Sequence, residues 1–139
     1  MHLSKSNKKN YCLNNICIGL FVIFMSSFAL AADRVEQRYP NVIAVKVSHD
    51  SGNLYNFDVT VSSPYDTPQR YADAFRVTDK TCKVLGERKL LHDHEDEQPF
   101  MRDLYGVSIP KGVRSVVVEA RDQKFGYGGA KLEAILPDR

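Results

Sequence analysis

The chain has 139 residues, of which 43% are hydrophobic and 26% are charged, and its formal net charge is +2. Three of its 19 basic residues lie in the first nine positions, whereas all 17 acidic residues follow Ala32, so the rest of the chain is close to neutral. This balance excludes an electrostatic basis for binding nucleic acid or an anionic membrane surface.

The first 32 residues have the pattern of an export signal. Three lysines precede the apolar stretch 16–30, and Ala29-Leu30-Ala31 provides the small residues that signal peptidase requires. An apolar stretch of about 15 residues is shorter than the ~20 that span a bilayer, which favours a cleaved signal peptide (1–32) over an uncleaved anchor. Neither Cys12 nor Cys17 lies at the cleavage point, which argues against a lipid anchor. The expected location is periplasmic or secreted.

Residues 33–139 are enough for a single domain with one core. Cys82 is the one cysteine in this range, so an intramolecular disulfide is excluded there. In an oxidising compartment such a thiol is buried, paired between chains or bound to metal. We expect it to be buried as a small hydrophobic side chain.

Alternation of apolar and polar residues between turn residues predicts seven strands. In chain order they are 41–47, 54–62, 71–78, 84–91, 104–109, 114–121 and 130–136. Gly86 suggests a bulge in the fourth strand, and Ile109-Pro110-Lys111-Gly112 suits a type I turn. Short strands separated by frequent turns predict an all-β fold, a seven-stranded antiparallel immunoglobulin-like β-sandwich. A small barrel is the alternative.

Strands that run alternately up and down divide the connections between two ends. The segments 48–53, 79–83 and 110–112 are expected at one end, together with His49 and Cys82. The segments 63–70, 92–103 and 122–129 are expected at the other end, and they are longer and chemically more varied. Loops clustered at one end of a sandwich commonly form a binding surface. The predicted partner contacts are Tyr65, Asp66, Arg102, Phe125 and Tyr127.

The segment KLLHDHEDEQPFMR (89–102) is the densest in reactive side chains. His92, His94 and Glu97 are a possible zinc or copper set, because two imidazoles and a carboxylate suit either metal. A structural loop is the alternative, with the histidines hydrogen-bonded to Asp93, Glu97 or backbone. In that interpretation Phe100 closes the end of the core and Arg102 pairs with Glu97 or Asp96. No catalytic nucleophile or second base accompanies the histidines, which disfavours catalysis.

One longer pattern extends over most of the chain after residue 71. It is LxHDHxxEQPFxR at 90–102, then VxIP at 107–110 and GYGG at 126–129. The pattern resembles a group of small uncharacterised exported bacterial proteins. The resemblance implies export and no particular activity.

Together these features predict an exported binding or accessory module that is not an enzyme. The expected partner is a protein or small ligand in the periplasm, with no contact to nucleic acid, and none to the membrane after cleavage. A monomer or weak dimer is expected, without a cofactor unless copper or zinc is bound. The alternatives are a copper or zinc carrier using His92, His94 and Glu97, and a hydrolase using His94 as general base.

Overall fold

The computed structural model describes residues 36–139, so the predicted signal peptide, Cys12 and Cys17 lie outside the described residues. Eight strands and one short 3₁₀ helix follow one another along this part of the chain. The strands are β1 (Asn41–Ser51), β2 (Leu54–Ser62), β3 (Ala72–Thr78), β4 (Val84–Lys89), β5 (Phe100–Ser108), β6 (Ser115–Asp122), β7 (Gly126–Tyr127) and β8 (Leu132–Ile135). The 3₁₀ helix is Glu95–Glu97.

The strands form two antiparallel sheets. One sheet has the order β1-β2-β5, and the other has the order β4-β3-β6, with β7 and β8 both paired to β6. The antiparallel β-sandwich predicted from the sequence is therefore confirmed. The strand count differs because a short strand, β7, forms within the predicted loop 122–129, while β8 corresponds to the predicted last strand.

The division between β7 and β8 has a local cause. Gly129 has a φ of +78°, and a Cβ there would meet the Pro40 carbonyl, so the chain turns and approaches β1 closely. Ala130 then accepts a hydrogen bond from the backbone of Val42, and its own N–H donates to Asn41 Oδ1. These bonds connect the two sheets at the segment between β7 and β8.

The core lies between the two sheets and is built from alternating positions. In β2 the predicted pattern holds throughout, since Tyr55, Phe57, Val59 and Val61 are all buried. The opposite sheet contributes buried residues from β3 and β6, which are Phe75, Val77, Val116, Val118 and Ala120. Complete burial of each large apolar side chain contributes roughly 1.5–3 kcal/mol, so this core is the main source of stability.

Several predicted boundaries were wrong at strand ends. β1 continues to Ser51, and β5 begins at Phe100 rather than 104, because 100–103 pairs with the second half of β2. The predicted type I turn is also wrong. The turn is closed by a bond from Val113 N to Pro110 O, and Gly112 at its third position has a φ of +90°, as a type II turn requires.

The expectation that Cys82 is buried was wrong. Cys82 is exposed and has a φ of 68°, in a tight turn between β3 and β4. The Asp79 carboxylate organises this turn by accepting hydrogen bonds from the backbone of Thr81 and Lys83. A residue at the tip of such a turn points away from both sheets, so the thiol faces solvent.

Candidate functional site

The three long loops meet at one end of the sandwich, as the alternation of strands predicts. We call the segments 63–70, 91–102 and 122–125 the loop end. Hydrogen bonds join the first segment to each of the others, through Ser63 N to Gln98 Oε1 at 2.8 Å and Arg70 Nε to Asp122 Oδ1 at 3.1 Å. The opposite end gathers the other turns, where Arg139 donates to Asn53 and to the Pro110 carbonyl.

Asp66 connects the first two segments from inside the protein. Its side chain is buried, with Oδ1 accepting from Ala72 N at 3.0 Å and Oδ2 from His94 N at 3.1 Å. Burial raises the pKa of the Asp66 carboxyl, and the hydrogen bonds that it accepts lower it in part. Asp66 was predicted as a partner contact, but its carboxylate is used to hold the loops together. The reason is its position at a turn where two backbone N–H groups need an acceptor, one at the start of β3 and one just before the 3₁₀ helix.

Arg70 and Asp122 form a second connection, which sequence reasoning missed. Asp122 is fully buried, and its Oδ2 accepts from the backbone N–H groups of Lys124 and Phe125, both at 2.8 Å. The Arg70 guanidinium lies over the rings of Tyr65, at 4.2 Å, and Phe125, at 4.8 Å. An aspartate at the start of a turn is a known local signal for Asp122. No local signal indicates Arg70.

Tyr65 borders this cluster and is partly buried. Its hydroxyl is buried without a hydrogen-bond partner of good geometry, and burial raises the pKa of that hydroxyl, with the nearby Asp122 carboxylate adding to the rise. The Arg70 guanidinium covers one side of the ring. The Tyr65 ring therefore packs against the Arg70 guanidinium, and only part of the Tyr65 side chain is exposed.

The two histidines occupy different environments. His94 is 3% exposed and its ring stacks on Phe100, with 3.9 Å between ring centroids. Burial lowers the pKa of the His94 imidazole, and the positive charge of Arg102 lowers it further. His92 is exposed, its ring lies 4.8 Å from that of His94, and its Nδ1 is 2.7 Å from the Asp93 carbonyl.

The proposed third metal ligand is engaged elsewhere. Glu97 Oε2 lies 2.7 Å from Arg102 Nη2, and this guanidinium holds the pKa of the Glu97 carboxyl below its ordinary value. The predicted pairing of Arg102 with Glu97 is confirmed, as is the burial of Phe100. Within residues 36–139, no group of three or more His, Cys, Asp or Glu side chains is arranged to hold a metal ion.

Tyr127 does not lie at the loop end. Because β7 pairs with Arg121 and Asp122 of β6, Tyr127 is carried onto the outer face of the five-stranded sheet. There its hydroxyl donates to Glu87 Oε2 at 2.8 Å, and Arg76 lies 3.7 Å from its ring centroid. Burial and this hydrogen bond raise the pKa of the Tyr127 hydroxyl. The prediction that grouped Tyr127 with the partner contacts of the loop end was therefore wrong.

The loop end leaves a defined set of side chains exposed. Leu91 is 85% exposed and Phe125 is 39% exposed, and His92 and the acidic 3₁₀ helix Glu95–Glu97 are exposed as well. These groups project from backbone that the buried carboxylates hold in place. The arrangement suits recognition by shape and mixed polarity.

Comparison with curated proteins finds one relevant similarity. A protein of Halomicrobium mukohataei named "Putative lipoprotein" is 36% identical over 98 residues, which cover 70% of this chain and 48% of that protein. This chain therefore spans about half the length of that relative. Lipoproteins are exported proteins, and the name agrees with the export pattern at residues 1–32. No family model and no solved structure matches the chain. In the part of the chain that the structure describes, no helix is long and apolar enough to cross a membrane.

Proposed function

We propose that this chain is an exported, non-catalytic binding module that recognises a protein or small ligand at the loop end. The observation that carries the proposal is the internal anchoring of that end by Asp66, Arg70 and Asp122. Burial of charged side chains is costly unless they are paired and hydrogen-bonded, and here their bonds hold three distant segments together. Loops held in this way lose little conformational freedom on binding, which favours affinity.

The contact surface follows from which side chains remain accessible. Leu91 and Phe125 provide apolar contact area, while His92 and Arg102 provide polar groups. Among the residues predicted from the sequence, Tyr65, Arg102 and Phe125 stay in the proposed surface. Asp66 serves as an anchor beneath it.

Export is supported by the pattern of residues 1–32 and by the name of the similar protein. We place the module in the periplasm or outside the cell, free of the membrane after signal cleavage, as a monomer or weak dimer. The strand orders β1-β2-β5 and β4-β3-β6 support an immunoglobulin-like or fibronectin type III-like module.

The geometry favours this function over the two alternatives. A copper or zinc carrier needs Glu97 beside both imidazoles, but Arg102 holds that carboxylate. A hydrolase needs an accessible general base, but His94 is buried against Phe100. Calorimetry with Cu(II) and Zn(II) tests the carrier directly. Binding tighter than micromolar that disappears in His92→Ala would favour it over the binding module.

Site-specific photo-crosslinking tests the proposed surface. A photoreactive amino acid replaces Leu91 or Phe125 in the exported protein, and Lys111 at the opposite end serves as the matched control. We expect one shared crosslinked species from the two loop-end positions, and its absence from the Lys111 position. Identical products from all three positions, or none from the loop end, would contradict the proposal.

A further inference from the structure

A small basic cavity opens beside the histidine segment, between the end of β4 and the start of β5. Its volume is about 160 Å³, and its walls are Arg88, Lys89, Leu90, Leu91, His92, His94 and Arg102. Its wall contains no acidic residue. We propose that this cavity binds a single oxyanion group of the phosphate type, held by Arg88 and Arg102 beside the two imidazoles.

His94 contributes one side of its ring to the cavity wall. Its side chain is almost completely buried, and its Nδ1 has no hydrogen-bond partner. On the inner side of the ring, Asp66 Oδ2 lies 4.0 Å from Nδ1, which is beyond hydrogen-bond distance. Nδ1 is therefore turned away from the open cavity, and the anion would be held by the two guanidinium groups rather than by this nitrogen.

The two arginines keep donors free for an anion, although each already has an acidic neighbour. Arg88 uses Nη1 for both the Asp103 carbonyl, at 3.0 Å, and its carboxylate, at 3.4 Å. Arg102 uses Nη2 for Glu97 and Nη1 for the Met101 carbonyl. A guanidinium has further N–H groups in a fork that matches an oxyanion, so both side chains can bind a second acceptor.

The remaining charges near the cavity are also accounted for. Lys89 Nζ lies 2.5 Å from Glu87 Oε1 and is largely exposed. Its charge therefore attracts an anion without fixing the anion's position. The Asp93 side chain accepts a hydrogen bond from Glu95 N. These carboxylates line no part of the cavity wall, which leaves the cations and imidazoles facing the space.

The size of the cavity limits what it can hold. Pockets for drug-sized ligands are roughly 300–1,000 Å³, so a cavity about half the lower limit takes one group and not a whole molecule. The group is either a free ion or the anionic end of a larger ligand that extends past Leu91. This inference goes beyond the proposed function, since it names a ligand class and requires no protein partner.

Titration with inorganic phosphate tests the site by ¹⁵N NMR of the exported protein at constant ionic strength. We expect saturable shifts of the backbone amides of 88–94 and of Arg102, and affinity about tenfold weaker in Arg102→Gln and Arg88→Gln. Arg114→Gln is the matched control, because Arg114 is exposed and pairs with Asp138 away from the cavity. An unchanged spectrum confirms that each variant folds.

One further ligand, methyl phosphate, distinguishes the sources of the group. Methyl phosphate that binds as well as phosphate identifies the anionic end of a larger ligand, whereas much weaker binding identifies the free ion. The proposal is overturned if phosphate produces only linear, unsaturated shifts, or if Arg102→Gln and Arg114→Gln bind it equally. Either result leaves the crosslinking test of the loop end unaffected.

Discussion

Replacement of Asp66 by alanine tests whether the loop end is held from within. In the native protein its carboxylate accepts hydrogen bonds from Ala72 N and His94 N, and both are buried. Alanine leaves two amide groups without an acceptor, at about 1–3 kcal/mol each, while relief of the desolvated carboxylate offsets part of that loss. We expect the free energy of unfolding to fall by about 2–4 kcal/mol, a large share of the ~5–15 kcal/mol of a typical domain.

Urea unfolding and hydrogen exchange measure the effect. Asp66→Asn is the graded variant, because its carbonyl oxygen can replace one acceptor, and we expect about half the loss. Asp58→Asn is the control, since Asp58 pairs with Tyr105 on the exposed face. The amide of His94 should lose protection in Asp66→Ala while the β2 core keeps it. A stability loss under about 1 kcal/mol, or unchanged protection at His94, would refute the anchoring argument.

Four other outcomes follow from the same contacts. Gly86→Ala should lower the free energy of unfolding by about 1–3 kcal/mol in urea, because the new Cβ would lie 3.1 Å from Val107 Cγ2. No loss would show that β5 moves to accommodate the methyl group and would contradict the prediction. Phe100→Ala should cost about 3–5 kcal/mol, and a smaller loss would mean that Phe100 does not close the core. Cys82 should react with a thiol reagent as fast in the folded protein as in urea, and slow native labelling would contradict its exposure. Because folding lowers the pKa of His94, its contribution to the free energy of unfolding should be complete above the unfolded-state pKa near 6.5 and should be lost as the pH falls through the folded-state pKa. Urea midpoints equal to those of His94→Gln across this pH range would contradict that.

The histidine segment shows where sequence reasoning reached its limit. The pairing of Arg102 with Glu97 was predictable because the two residues lie five positions apart, and the burial of Phe100 because it is a large apolar side chain in a polar segment. The spacing of His92, His94 and Glu97 alone could not distinguish a metal site from a structural loop. Whether a histidine ring faces a metal ion or packs on another side chain depends on residues that other strands bring close to it.

The placement of Tyr127 illustrates a second limit. GYGG lies in the predicted loop 122–129, and a two-residue strand is too short to show alternation. Its pairing with the end of β6 decided which face Tyr127 occupies. A shift of one position in register would place the ring on the opposite face.

The sequence by itself determined the strand-rich class, the inward face of β2 and the sorting of the loops between two ends. These features depend on period-two alternation and on turn residues, which act over a few positions. Only the tertiary structure decided the roles of Asp66, Arg70 and Asp122, because their partners are 28 and 52 residues away along the chain. The sequence of a turn does not show whether its aspartate faces solvent or holds two loops together, because that depends on how the two sheets pack.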